Sequence, residues 1–133
     1  MKRLALFTAA LLLAGCASVG RYQPSYLDGT VSTPAGVAAP TGDTTLKVRL
    51  LDISRPGAPA QVLAEQYQDQ PKAFPAPFSL CYDARAIKPD HVYTVEASLY
   101  FKGELKMVSS GQPRVLAADS PAKPELTVQA IGQ

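Results

Sequence analysis

Few residues in this 133-residue chain are of a type that performs chemistry, and they stand far apart. There is a single histidine, His91, and there are two cysteines, Cys16 and Cys81. Asp83 and Asp90 lie near His91 in sequence. A metal site or a Ser-His-Asp device needs further groups converging on the imidazole, and the more ordinary work of aspartates around Pro89 is turn capping. Spacing marks no pair of carboxylates for glycoside hydrolysis, and no glycine-rich phosphate loop is present. These residues predict a non-enzymatic protein with no catalytic group, no metal site and no cofactor.

Cys16 is the exception, because its surroundings specify a reaction. Lys2 and Arg3 form a positive start, Leu4 to Leu13 an apolar run, and Ala14 and Gly15 a small-residue end, the build of a secretory signal. About ten apolar residues fall short of the roughly 20 that cross a bilayer as a helix. Leu13-Ala14-Gly15-Cys16 resembles the bacterial lipobox. There the thiol accepts a diacylglyceryl group, the chain is cut between Gly15 and Cys16, and acyl chains such as palmitate anchor the product. Each buried methylene contributes about 0.8 kcal/mol, so a multiply acylated Cys16 holds a membrane durably. Ala17 and not Asp follows the cysteine, which under the bacterial sorting rule directs the protein to the outer membrane, facing the periplasm.

Removal of residues 1–15 leaves 118 residues, enough for one domain with its own core. It also removes Lys2 and Arg3, so thirteen basic residues fall to eleven against eleven acidic ones. The pI of 8.6 belongs partly to the signal, and the neutral remainder, without a basic stripe, argues against nucleic acid. Residues 16–25 read as a lipidated tether and residues 26–133 as the domain. STPAGVAAPTGD, residues 32–43, reads as a loop between strands.

The domain alternates with period two, the pattern of half-buried strands. In HVYTVEASLYF, Tyr93, Val95, Ala97, Leu99 and Phe101 share one face and Thr94, Glu96 and Ser98 the other. Lys102-Gly103 makes a hairpin turn, and ELKMV returns with Leu105 and Met107 alternating against Lys106. TTLKVRLLDIS aligns Leu46, Val48 and Leu50, then slips phase at Leu51, which a bulge near 50–51 would explain. Arg55-Pro56-Gly57 suits a turn. AQVLAEQY fits either a strand or two helical turns, DARAIKPD a short helical turn, and PELTVQAI a closing strand with Leu126, Val128 and Ala130 aligned. About seven short strands and twelve prolines predict an all-β fold, an antiparallel β-sandwich or, alternatively, a small closed β-barrel.

Two further features bear on partners. In FSLCYD, Phe78, Leu80 and Tyr82 point inward and Cys81 opposite them. With Cys16 lipidated, Cys81 has no partner in its own chain. It is then either a semi-buried small residue or a thiol that pairs with another chain. FPAPF, residues 74–78, carries two aromatic rings on a stretch that cannot be helical. Either the rings plug the core, or Phe74 and Phe78 form a rigid partner-docking surface.

VRLLDISRPGAPAQVLAEQ followed by PAPFSLCYDARAIKPDHVYTVEASLYFKGEL resembles the YbaY-like/YscW-like lipoprotein family, which includes type III secretion lipoprotein chaperones, or pilotins. The matching elements run from about Leu46 to Leu105, and the chain departs from the pattern at STPAGVAAPTGD. The resemblance implies a small β-sandwich on a lipid anchor that binds an envelope protein partner, such as a secretin subunit; the chain is expected to be a monomer. An envelope structural or stress lipoprotein without a secretion client is the alternative that the same domain allows.

Cys16→Ala is expected to abolish acyl labelling and leave an unprocessed or mislocalised chain. Radiolabelled palmitate incorporation and membrane fractionation check this, and a processed, acylated mutant at the outer membrane would refute the lipobox.

Overall fold

The computed structural model describes residues 21–131. It contains eight strands: β1 Pro24–Ser32, β2 Thr44–Asp52, β3 Gln61–Asp69, β4 Ala76–Asp83, β5 Tyr93–Phe101, β6 Glu104–Ser109, the short β7 Arg114–Val115, and β8 Glu125–Ala130. One 3-10 turn, Ala84–Ala86, follows β4. The all-β reading therefore holds. AQVLAEQY, open between strand and helix from its residues, is strand β3, and β1 begins at Pro24, inside the stretch read as tether.

The strands follow one path, β3-β2-β5-β6-β8-β1-β4, with β7 beside β5. The path curls until its ends, β3 and β4, lie next to each other, giving a nearly closed barrel with sandwich character. β8 joins the two halves. Glu125, Leu126 and Thr127 pair parallel with Thr30, Val31 and Ser32 of β1, while Val128, Gln129 and Ala130 pair antiparallel with Ser109, Val108 and Met107 of β6.

Alternation places one residue in two inside. Leu46, Val48 and Leu50 from β2, Tyr93, Val95, Ala97 and Leu99 from β5, and Phe78, Leu80 and Tyr82 from β4 meet Leu27, Val31, Met107, Leu126 and Val128 in a single core. Each large aliphatic buried this way contributes about 1.5–3 kcal/mol. The turns carry their expected chemistry. Lys102 and Gly103 both have positive φ, 49° and 78°, as a type I′ hairpin requires. Gly57 has φ 77° and Ala58 N–H bonds the Arg55 carbonyl at 3.3 Å, a type II turn with Pro56 before the glycine.

Three positions depart from simple alternation, each for a local reason. The irregularity at Leu50/Leu51 is present, but the extra residue is Leu63 of β3; β2 runs unbroken against β5. Leu51 therefore stays on the face opposite Leu50, where it is buried beside Thr94. Thr94, expected outside, is 1% exposed, and its hydroxyl donates to the Pro113 carbonyl at 2.8 Å, in the segment entering β7. Leu105, expected inside, is 42% exposed. A bulge makes Lys106 the extra residue, so Leu105 pairs with outward Tyr100 while Met107 pairs with inward Leu99.

Gly29 in β1 is held by close approach. A Cβ there would lie 2.3 Å from the Pro124 carbonyl oxygen and 2.5 Å from Phe78 Cζ. The ring of Phe78, its cross-strand partner, occupies the space a side chain would take. Gly29→Ala is expected to destabilise the fold by about 2 kcal/mol, in the range of overpacked cores. Urea denaturation checks this. Adding Phe78→Leu should recover only part of the loss, because backbone oxygen supplies the closer clash.

Candidate partner-binding site

The lipidation and cleavage residues, Cys16 and Gly15, lie outside the described residues. Asp83 does the capping work expected of it, since its Oδ1 accepts from Gln23 N–H at 3.1 Å and Arg85 N–H at 3.0 Å. Cys81 is exposed on the outer side of β4, with its sulfur 3.4 Å from the Tyr22 hydroxyl, an interaction that raises the Tyr22 phenol to about 12. Among the described residues, no group of three or more His, Cys, Asp or Glu is placed to hold a metal.

His91 does meet a carboxylate and a serine, but in an order unsuited to nucleophilic catalysis. Asp52 sits between them: His91 Nδ1 lies 2.7 Å from Oδ2, while Ser54 Oγ donates to Oδ1 at 2.5 Å. Ser54 Oγ also accepts from Val92 N–H at 2.8 Å, and Ile53 N–H bonds the Val92 carbonyl at 2.9 Å. The serine proton is therefore committed to the aspartate, and the imidazole contacts the carboxylate and not the hydroxyl. The cluster instead ties the end of β2 to the start of β5. Its hydrogen bonds from Ser54 above all, and then from His91, hold the Asp52 carboxyl at about 2.

FPAPF is divided by the strand it enters. Phe78 is 3% exposed, because even-numbered residues of β4 face the core, so this ring is not a docking surface. Phe74 is half-buried, packs against the core, and lines a hollow of about 500 Å³ between the 33–44 and 70–74 segments.

The best-formed recognition feature lies where the sheet fails to close. Gln66 and Gln68 occupy inward positions of β3, opposite Val48 and Leu46 of β2. Instead of filling the core they reach across to the edge of β4. Gln68 Nε2 donates to the Pro77 carbonyl at 2.6 Å, and Gln66 Oε1 accepts from Ser79 N–H at 3.0 Å. A groove of about 550 Å³ runs beside this seam, lined among others by Gly29, Gln66, Phe78, Ser79, Lys123 and Glu125. The residues left this segment open between strand and helix and did not reveal the site. The available signal was a pair of glutamines at alternate positions where a core strand should be apolar, beside a proline-flanked edge.

The outer face of β2, β3 and β5 carries a second polar surface. Lys47 Nζ bonds the Tyr100 hydroxyl at 3.0 Å, Arg49 pairs with Glu96, and Tyr67 stands exposed with its phenol raised by a hydrogen bond to Glu65. The partly solvated Arg49–Glu96 ion pair adds little stability.

The chain belongs to the type III secretion system lipoprotein chaperone (YscW) family, whose profile matches residues 23–128. Among solved structures it is similar to an alternative pilotin from the type II secretion system of Vibrio cholerae. The TM-score is 0.75 at 26% identity, covering 84% of this chain and all of that one. No curated protein matches.

The depressed Asp52 carboxyl has a pH consequence. A group lowered from 3.8 to about 2 on folding contributes stability that is fully present above the unfolded value. That contribution fades as pH falls from about 4 to about 2. Asp52→Asn should therefore flatten this part of the acid limb, checked by denaturant unfolding at stepped pH for both proteins.

Proposed function

We propose that this chain is a lipid-anchored outer-membrane lipoprotein facing the periplasm, and that it acts without catalysis as a pilotin-like chaperone for an envelope protein. A secretin subunit of a secretion channel is the client this reading names. The observation that carries it is the family match over most of the domain, joined to a solved neighbour that is itself a pilotin. In this reading residues 1–15 are removed, Cys16 carries the acyl chains, and the monomeric domain binds neither metal nor nucleic acid. From Cys16 to the start of β1 at Pro24 the chain can reach at most about 29 Å. The domain thus works close to the membrane surface, where a channel subunit must insert. The architecture suits binding more than chemistry: its one serine–carboxylate–histidine cluster is a structural tie, and its open sheet edges offer main-chain groups.

Co-expression of the acylated chain with the secretion-channel subunits of the same organism tests this. The expected result is co-purification of a channel subunit from detergent extracts and its loss from the outer membrane when the chaperone is deleted. Unchanged channel assembly in the deletion strain, with no subunit recovered, would favour the envelope structural or stress role.

A further inference from the structure

What bridges the gap between β3 and β4 is chemically a peptide group. A glutamine carboxamide offers the same N–H donor and C=O acceptor as main chain. The two bonds from Gln66 and Gln68 fall two residues apart on β3 and two residues apart, in reverse, on β4. That is the stepping of an antiparallel ladder. β3 and β4 lie within 8 Å of each other across this seam and a third strand needs about 4.8 Å on each side, so the two strands must part slightly before its backbone takes over both bonds in kind.

We propose that this seam admits an extended segment of the partner polypeptide as an added strand between β3 and β4, displacing the two carboxamides. The proposal rests on the chaperone reading. Three observations support it. First, β4 is built as an edge: Pro77 has no N–H to offer, and Ser79 N–H points to the seam and not to β1. Second, the pairing directions along the sheet path leave β3 and β4 running opposite ways, so an inserted strand must be parallel to one and antiparallel to the other. β8 already lies in such a place, parallel to β1 and antiparallel to β6. Third, Asp28 and Glu125 line the groove against one cation, Lys123. This charge selects a segment that lacks acidic residues and carries basic ones.

Overlapping peptides spanning the secretion-channel subunits of the same organism, titrated against the acylated full-length chain, provide the probe. The expected result is binding of a neutral or basic peptide, with slowed amide exchange at Ser79 and along β3. Ser79→Pro removes the seam donor without touching the β1 ladder, and should weaken that binding at least about tenfold. Gln66→Ala combined with Gln68→Ala removes the competing carboxamides and should strengthen it. Circular dichroism confirms the fold of each variant, and if Ser79→Pro fails to fold, the glutamine variant and the exchange pattern decide. Binding that neither variant alters, or that leaves β3 and β4 amides exchanging as before, overturns the seam. In that case recovery of the intact channel subunit would leave the chaperone reading standing. If neither peptide nor intact subunit binds, both fail.

Discussion

The architecture depends on how a single strand divides its hydrogen bonds. β8 gives its first three residues to β1 and its last three to β6. Without that division, β1 and β4 would be a two-stranded ribbon apart from the β3-β2-β5-β6 sheet, and an isolated ribbon is marginal in water. With it, the inner faces of both sets enclose one core, and Leu126 and Val128 of β8 contribute to it. Every other neighbouring pair on the path is antiparallel, so the one parallel junction is where two sheets become one surface.

Once the sheet curls this far, its two ends must be managed. Complete closure would have needed backbone contact between β3 and β4. The chain instead places Gln66 and Gln68 at the last inward positions, where an apolar side chain would meet the open side of the core. The glutamines satisfy two edge groups of β4 and shield the interior at once. A proline in β4 blocks one further rung, a common guard against uncontrolled pairing. The edge is protected without being sealed, which is the physical basis for reading it as a recognition feature.

Much of the fold was legible in the residues, and the failures are instructive. β2, β4 and β5 were readable because each buries one face and leaves the other wet, so alternation reports the burial directly. Leu105, Thr94 and Leu51 were misplaced because their burial is decided by bulges and by a covering segment, which are properties of neighbouring strands. β3 was ambiguous for a deeper reason. Its inward residues are polar because they bridge to β4, so the strand that forms the seam had a weak strand signal. The pairing of His91 with Asp52 across 39 residues of sequence was beyond any spacing argument.

The placement of β1 also sets an order of events. Its two neighbours are β4 and β8, and the residues of β8 that pair with it come about as late in the chain as any strand residue can. A chain that emerges N-terminus first therefore exposes β1 long before both neighbours exist, and loop closure over such separations is slow. If Cys16 is acylated at the membrane, the strand beside it is tethered there while still unpaired on both edges. Both edges of β1 then stay unpaired until β4 and, last of all, the C-terminal strand are complete.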